Sequence, residues 1–475
     1  MNTSFYNGLS GLNSFQSGVD VLADNIANVN TVGFKGSSAE FSTVFSKALS
    51  SNGMEVSNEI GMGSTLDATA LDTSQGALQT TDNVFDLALN SEGWFGVQNS
   101  SNQINYTRSG SFDVDASGYL TDASGNYLLG TLGNNITPTT LDQATRDAYG
   151  STLGDSSLSL ADAYAISNID DIPLGSVSSQ SKIQLPDLLY FPASPTTNVS
   201  YHANLDPTIT LDNLGQEIPN VEHFSSTVIS PSGENGTLDM TFTKRVPQPT
   251  TGTTWDADIK ILGPAQTYDA TSTYDPTQYD IDAAAKKVYP IVDSKTGVLT
   301  FDSDGKLSSS TVPVLSNGGV PLTLDLGAVG TYDGLFSSAD FSTGSSEKHD
   351  GYEDGLLKDY GMDNNGNVVA EFTNGKSIPI AKIAVYHFQN DQGLEQVGNS
   401  LFSASQNSGN PIFYTDSSGK PILGSQISSK KLESSNVSLS TALTELIVMQ
   451  KAFDASSKSI TTSDELIQNA INMKK

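Results

Sequence analysis

The sequence predicts a multidomain α+β protein: a terminal α-helical coiled-coil domain plus two mainly antiparallel β domains, nested by insertion. Three observations lead to this fold class. Seven-residue apolar repeats lie at both ends of the 475-residue chain. Between them, short apolar segments alternate with period two and are separated by turn residues. Only 36% of the residues are hydrophobic and 16% charged, so Gly, Ser, Thr and Asn are abundant, and these residues favour short strands and turns over long helices.

The N-terminal segment has apolar residues at a seven-residue spacing. The main track is Phe5, Leu12, Val19 and Ile26, and the second is Phe15 and Leu22. Such a repeat indicates a helix that packs on another helix. The pattern stops between Asn28 and Gly33, where Asn, Thr and Gly predict the end of the helix.

The C-terminal segment repeats the pattern over a longer stretch. Its main track is Leu439, Leu446, Phe453, Ile460 and Ile467, and its second is Ala442, Met449, Ser456, Ser463 and Ala470. Ser438 is a suitable N-cap, and Lys474 and Lys475 suit the negative end of the helix dipole. Both helices leave the same body, so a pair must run antiparallel. The Ala and Ser residues of the second track bury little apolar surface, and burial stabilises by only ~0.8 kcal/mol per CH₂ group. One helix pair would therefore be weak, so we expect neighbouring subunits to supply more packing. Ordinary amphipathic helices on a globular core are the alternative.

The predicted domains are 1–33 with 436–475 (helical coiled coil), 34–76 (connector), 77–205 with 350–435 (β-rich wall), and 206–349 (inserted outer β domain). From Phe85 onwards, period-two segments separated by Ser-Gly turns predict an antiparallel meander. Residues 141–149 and 158–166 are compatible with short helices interrupted by Gly and Asp.

Charge and composition exclude several classes of function. The net charge of the chain is −30. Residues 1–35 have a net charge of −1 and residues 439–475 a net charge of zero, so nearly all of the negative charge lies in the middle of the chain. This argues against nucleic acid and against an anionic membrane as partners. There is no cysteine, no apolar run of the ~20 residues that a membrane helix needs, and no Lys or Arg before Lys35 of the kind that opens a secretory signal. These rules alone would predict a cytoplasmic protein.

No pattern predicts a catalytic, cofactor or metal site. Residues 113–118 begin like a calcium loop, but the twelfth position would be Ser124 instead of Glu, so a polar hairpin turn is expected there and at 302–305 and 363–366. The four histidines are scattered, and no phosphate-binding Gly loop or nucleophile elbow is found. We therefore do not expect an enzyme.

Three segments resemble the flagellar axial proteins of the rod and hook family. Residues 24–35, DNIANVNTVGFK, are similar to the N-terminal signature of that family, at Asn25, Asn28, Asn30, Thr31, Gly33, Phe34 and Lys35. Residues 86–112 resemble its core, with Trp94 where Phe is usual, and residues 432–465 resemble its closing signature, with Lys451 and Phe453 where Arg and Tyr are usual. Residues 203–206 and 393–399 are similar to hook members in particular.

The resemblance implies a structural subunit of the bacterial flagellar hook, which polymerises into a curved, flexible helical tube and transmits motor torque to the filament. It implies a homopolymer that meets the distal rod, the hook cap and the hook–filament junction proteins. It also implies export by the flagellar type III apparatus without a cleavable signal peptide, and so an extracellular location without membrane insertion. The alternatives are a second hook-like or distal-rod component, and a secreted β-rich adhesin whose helices trimerise it.

Overall fold

The structure, a computed structural model, describes residues 2–44, 46–48, 59–139, 164–269, 272–339 and 344–473. Within them the chain is mostly β, with one long helix at each end, α1 (Asn2–Ala27) and α2 (Leu439–Asn472). This confirms the predicted β-rich class with terminal helices. Ser438 does precede α2, but its side chain makes no capping hydrogen bond to the helix backbone, and its hydroxyl accepts one from Thr441 Oγ1 at 3.1 Å instead. Lys474 and Lys475 lie outside the described residues.

A β-hairpin follows α1. The strands of this region are β1 (Ser37–Thr43), β2 (Ser46–Ala48), β3 (Glu59–Gly61), β4 (Ser64–Leu71) and β5 (Leu78–Thr80). β1 and β4 are antiparallel from Ser37 opposite Leu71 to Thr43 opposite Ser64, and β2 pairs with β3. This corrects the interpretation of 34–76 as a connector: the strands consist mainly of Ser, Thr and Ala, so their backbone pairing leaves only a weak hydrophobic signal in the sequence.

The first β body begins with a meander, as predicted. Its early strands are β6 (Leu87–Leu89), β7 (Trp94–Gln98), β8 (Ile104–Thr107), β9 (Phe112–Val114), β10 (Leu120–Asp122), β11 (Tyr127–Leu132), β12 (Ile136–Pro138), β13 (Tyr164–Ile166), β14 (Ser181–Lys182) and β15 (Leu189–Phe191). β7 pairs with β8, β9 with β10, β10 with β11, and β11 back onto β7, all antiparallel. The prediction of a helix over 158–166 is wrong at its C-terminal end, because residues 164–166 form the strand β13. Residues 158–163 and 141–149 lie outside the described residues.

The second β body occupies the middle of the chain. Its strands are β16 (Asn198–Asn204), β17 (Thr210–Leu211), β18 (Glu217–Ile218), β19 (Val221–Ile229), β20 (Asn235–Lys244), β21 (Thr253–Leu262), β22 (Gln266–Thr267), β23 (Tyr279–Asp282), β24 (Lys287–Phe301), β25 (Leu307–Ser310), β26 (Leu315–Asn317), β27 (Val320–Asp325), β28 (Leu335–Phe336) and β29 (Ser346–His349). Alternate residues of β20, including Leu238, Met240 and Phe242, are buried, as the period of a strand requires.

The chain then returns to the first body. The returning strands are β30 (Gly355–Met362), β31 (Asn367–Phe372), β32 (Ser377–Ile383), β33 (Val385–Tyr386), β34 (Glu395–Gly398), β35 (Leu401–Ser403), β36 (Tyr414–Thr415), β37 (Pro421–Ile422), β38 (Ile427–Ser429) and β39 (Lys431–Glu433). They interleave with the early strands in the order β15-β30-β31-β32-β11-β7-β8-β35. One apolar core therefore joins residues such as Phe95 and Leu128 to Ile383 and Val385.

The boundary of the second body lies earlier than the sequence indicated. β16, which falls within the stretch 77–205 assigned to the wall domain, pairs with β27, β28 and β29. Its buried residues Val199, Tyr201 and Ala203 belong to the same core as Phe242. This is a correction to the predicted start at 206: strand patterning located β16 but could not tell which sheet it joins.

Candidate assembly interface

The two terminal helices pack on each other in antiparallel fashion. A Cβ atom added to Gly8 would lie 2.8 Å from Ile460 Cγ1, and one on Gly18 would lie 3.4 Å from Met449 Sδ. Residues near the start of α1 therefore face the later part of α2, and later residues of α1 face its earlier part.

The buried stripe of α1 consists largely of small residues. Gly8, Gly11, Ser14 and Gly18 are buried, together with Leu22 and Asn25. Of the predicted seam, Leu22 is buried, Phe5 is exposed, and the others are half-buried: Leu12, Phe15, Val19 and Ile26. Glycine allows the close approach of the two helices, and Gly8 and Gly11 lie directly against Ile460 and Ser456 of α2.

On α2 the two predicted tracks form the less exposed stripe. Ala442 and Ser463 are buried, Leu439 is exposed, and the remaining described members are half-buried: Leu446, Met449, Phe453, Ser456, Ile460 and Ile467. The side chain of Ala470 is not among those that the structure describes. Large apolar side chains outside this stripe are exposed, among them Leu443, Ile447, Val448, Leu466 and Ile471. The helix pair thus has an uncovered apolar surface.

The hairpin of β1 and β4, together with the end of β3, supports α1 along its length. Ser14 Oγ donates to the carbonyl of Ser64 at 2.9 Å, and Asn7 Nδ2 donates to Gly61 at 3.0 Å. The rings of Phe15 and Phe41 lie 6.2 Å apart in an edge-on arrangement. α1 is therefore held between α2 and this hairpin.

A buried charge cluster lies where the two chain ends enter the body. Lys35 Nζ is 2.6 Å from Glu433 Oε1, and Arg108 Nη1 is 3.3 Å from Glu433 Oε2. Glu433 Oε1 also accepts the Gly76 N–H at 2.8 Å, and Lys35 Nζ donates to the Ser74 carbonyl at 2.6 Å. Buried charges need such partners because the loss of hydration is costly. Burial lowers the pKa of Lys35 and of Arg108, and the Glu433 carboxylate opposes both shifts.

The N-terminal signature residues build the turn that brings Lys35 to this cluster. Asn25 exchanges two hydrogen bonds with the Ser37 backbone, at 2.7 and 2.9 Å, and the Thr31 hydroxyl donates to Asn28 Oδ1 at 3.1 Å. Gly33 has φ +65°, and a Cβ there would lie 2.3 Å from Ser109 N. Phe34 is buried and Asn30 is exposed. The signature is therefore mostly a structural requirement of one tight corner.

Three polar residues of this corner were not singled out as site residues from the sequence: Arg108, Glu433 and Asn436. Asn436 Oδ1 accepts the Gly36 N–H at 2.9 Å, and its Nδ2 donates to the Asp72 carbonyl at 2.9 Å. All three belong to segments that resemble the axial family, and that was the signal available for finding them.

In the turns that resemble calcium loops, the aspartate side chains accept hydrogen bonds from backbone N–H groups of the same turn. Asp302 Oδ1 accepts the N–H groups of Asp304 and Lys306, both at 2.9 Å, and Asp363 and Asp115 accept equivalent bonds at 2.8 Å. This confirms the predicted hairpin turns. Among the described residues, no group of three or more His, Cys, Asp or Glu side chains is arranged to hold a metal ion.

Three family descriptions match separate parts of the chain. Residues 5–35 match "Flagella basal body rod protein", 88–187 match "Flagellar hook protein FlgE/F/G D1 domain", and 428–473 match "Flagellar basal body rod FlgEFG protein C-terminal". The flagellar hook protein FlgE of Borreliella burgdorferi is 28% identical over 489 residues, and that of Treponema pallidum 29% over 517 residues; both alignments cover 100% of each chain. Over its full length the chain is therefore similar to flagellar hook proteins.

These similarities support a structural subunit of the flagellar hook and not an enzyme. Each charged residue of the cluster comes from a different matched region: Lys35 from the first, Arg108 from the second and Glu433 from the third. The three matched regions of the chain therefore meet at this buried point.

Two further similarities concern Helicobacter pylori. Its flagellar hook protein FlgE is 38% identical over 185 residues, which cover 38% of this chain and 25% of that one. The crystal structure of its flagellar hook protein FlgE2 superposes with a TM-score of 0.47 at 17% identity, covering 75% of this chain and 100% of that chain. In the part of our chain that is described, neither α1 nor α2 has the length and hydropathy that a membrane-spanning helix requires.

Proposed function

We propose that this hook subunit polymerises through its terminal helices into a curved, flexible tube that transmits torque from the motor to the filament. The observation that carries the proposal is the uncovered apolar surface of the helix pair. Leu443, Ile447 and Val448 follow one another along α2 and are all exposed. Their burial against a neighbouring copy would be favourable at about 25 cal/mol per Å² of apolar area. In this arrangement α1 and α2 of neighbouring copies form an inner layer of coiled coils, with the predicted seam residues at or beside the contacts.

The two β bodies supply the layers outside the helices. The strands of the first body come from stretches on both sides of the second. This supports an arrangement in which the second body is inserted into the first and lies outside it. The first body then forms the wall, and the acidic second body faces outwards. Bending requires outer contacts that exchange while inner ones persist, and like charges on the outer bodies keep those contacts weak.

The tube has an open head-to-tail symmetry, because heterologous contacts that do not close produce helical filaments. Its ends would meet the distal rod, the hook cap and the hook–filament junction proteins. The subunit would reach this extracellular position through the flagellar type III export apparatus, without removal of a signal peptide.

Electron microscopy of the purified chain tests the proposal. We expect long curved tubes above a critical concentration, and cells that lack the protein should carry basal bodies without hooks. Short closed oligomers of the purified chain, together with normal hooks on the deletion strain, would contradict it.

A further inference from the structure

The second body carries an exposed apolar hairpin, which we call the finger and define as residues 206–220. Its strands β17 and β18 pair only with each other among the described strands. Ile209, Leu211, Leu214 and Ile218 are all exposed, and Leu214 at the turn is 84% exposed. Single exposed leucines are common, but here four exposed apolar side chains lie on one small hairpin. By the register of the two strands Leu211 and Ile218 lie on opposite faces, and Leu214 lies at the tip between them.

The base of the finger is fixed by a buried lysine. Lys244, 1% exposed, places its Nζ 2.7 Å from Glu217 Oε1 and 2.7 Å from the Pro207 carbonyl. Asn220 Nδ2 donates to the carbonyls of Asp206 and Thr208 at 2.8 and 2.9 Å. A buried charge is costly unless it is paired. Movement of the finger would remove the partners of the Lys244 ammonium group, so this lysine holds the finger in one position. An element positioned in this way is preorganised for binding.

An apolar cleft lies at the opposite end of the same body. Its volume is about 270 Å³, and its apolar lining includes Val228, Pro231, Ile261, Leu262, Pro264 and Val292. Glu234 is the charged residue in the lining. Removal of a leucine side chain leaves a cavity on the order of 150 Å³, so the cleft has room for a leucine from outside.

The finger and the cleft lie at opposite ends of the second body because β19 runs from one to the other. This strand begins at Val221, directly after the finger, and ends at Ile229, directly before the cleft residues Pro231 and Glu234. Nine residues of strand span about 26 Å. The finger of one molecule therefore cannot enter its own cleft.

We propose that the finger of one copy inserts Leu214 into the cleft of the next copy. A protrusion and a cleft at opposite ends of one body give a heterologous contact, in which every copy both provides a finger and receives one. The proposal rests on the assembly described under Proposed function and names one of its outer contacts. The contact is small and apolar within an acidic body, so it can break and re-form while the helix layer holds.

Disulfide trapping tests this directly because the chain contains no cysteine. The double variant Leu214→Cys/Val292→Cys places one thiol on the finger and one on the rim of the cleft, and both positions are exposed. A disulfide needs Cα atoms within about 7 Å, so it can form only between copies. Tubes oxidised with copper–phenanthroline should give a ladder of covalent multimers in a non-reducing gel.

The controls separate this contact from chance collisions and from assembly itself. Each single variant, and the pair Leu214→Cys/Val114→Cys with its second thiol on exposed β9, should give no ladder. Normal tubes of the Leu214→Cys/Val292→Cys variant without a ladder, or a ladder from the control pair, would overturn the finger contact alone. Absence of tubes from the unmodified chain would overturn the proposed function, and the finger contact with it.

A second measurement does not depend on thiols. Leu214→Asp should raise the critical concentration for assembly roughly ten-fold, because the tip would place a charge in an apolar cleft. Asn213→Asp adds the same charge one residue away and keeps the leucine, so it should have a much smaller effect. Equal effects of the two variants would also overturn the contact.

Discussion

Lys35 Nζ and Glu433 Oε1 lie 2.6 Å apart, although 398 positions separate the two residues in the chain. Both side chains are only 1% exposed. Lys35 follows the corner after α1, and Glu433 ends β39, shortly before α2. Arg108 of the first body completes the cluster. The two chain ends are therefore fixed to the body at one point, from which the helix pair extends.

The first prediction concerns Glu433. Glu433→Gln removes the negative charge and leaves Lys35 and Arg108 buried without it, so the free energy of unfolding should fall by about 3–5 kcal/mol. Urea denaturation of the purified chain measures this change. Asp454→Asn breaks the solvent-exposed pair with Lys451 on α2 and should leave unfolding unchanged within error. Similar stability of both variants would contradict a structural role for the cluster.

The sequence predicted the elements that have a local period but not the contacts that join distant residues. The seven-residue tracks located α1 and α2, and period-two patterning located most of the first-body meander. The partnership of Lys35 with Glu433 has no local signal, because each is an ordinary charged residue in its own segment. Membership of β16 in the second core was missed for a similar reason: its partners β27 to β29 lie more than a hundred residues further along the chain.

The seam of α1 shows a different limit of sequence reasoning. The heptad rule selects large apolar residues such as Phe5, Leu12 and Val19. In the structure the glycines beside them are more buried. A pattern rule that scores hydrophobicity gives glycine no weight, whereas the distance between two helices depends on where side chains are absent.

The second prediction compares two glycines with positive φ. Gly33 (φ +65°) lies against the backbone of Arg108 and Ser109, whereas a Cβ added to Gly125 (φ +78°) would meet no heavy atom of the described residues within 4 Å. Gly125→Ala should cost about 1–2 kcal/mol through backbone strain alone. Gly33→Ala should cost a further 1–3 kcal/mol, roughly, because the added methyl group overlaps the facing backbone. Thermal unfolding of both variants measures the difference, and equal losses would mean that the corner can move aside.

The third prediction concerns acid sensitivity at His387. This buried side chain is hydrogen-bonded through Nε2 to the Leu423 carbonyl at 2.8 Å, and its ring stacks on Tyr414 at 4.1 Å. Burial lowers the pKa of His387 below 6.5; the nearby Arg108 adds to that shift, while the Leu423 bond and the carboxylates of Asp391 and Glu92 oppose it.

Between the lowered pKa and 6.5, the unfolded chain binds a proton at this position that the folded chain does not. The stability gained from the neutral ring is therefore complete above 6.5 and is lost as the pH falls below it. His387→Gln should remove this part of the decline between about pH 7.5 and 5.5, although it lowers stability at neutral pH. Parallel curves for the variant and the unmodified chain would contradict the assignment.

The fourth prediction uses the corrected boundary of the second body. Asp350 closes that boundary by accepting the N–H groups of Thr197 and Asn198 at 2.9 and 3.0 Å, and Ser194 pairs with Tyr352 just outside it. Deletion of 196–350 with a short Gly-Ser join should leave the first body folded. The two chain ends that the join connects lie next to the paired residues Ser194 and Tyr352, whose Cα atoms are about 5 Å apart.

Deletion of 206–349 is the matched control. It removes the partners of β16 and exposes apolar residues such as Val199 and Tyr201, so that variant should aggregate. Size-exclusion chromatography and near-ultraviolet circular dichroism distinguish the two outcomes. The clean deletion should still assemble, with altered curvature or stiffness, since the helix pair is intact. Equivalent behaviour of the two deletions would place β16 outside the second body.

The last prediction concerns the outer face of α2. Ile447 is 58% exposed in the single chain, so Ile447→Asp should leave the thermal unfolding of the monomer unchanged. In the tube the same side chain would be buried against a neighbour. Loss of that burial, worth about 1.5–3 kcal/mol for an isoleucine, should raise the critical concentration for assembly at least ten-fold, as measured by sedimentation. Val114→Asp makes a comparable change at an exposed position of the first body and should shift it far less. Assembly of Ile447→Asp at the usual concentration would show that this face of α2 points away from neighbouring subunits, whereas melting of its monomer would show that the side chain belongs to the fold of the single chain.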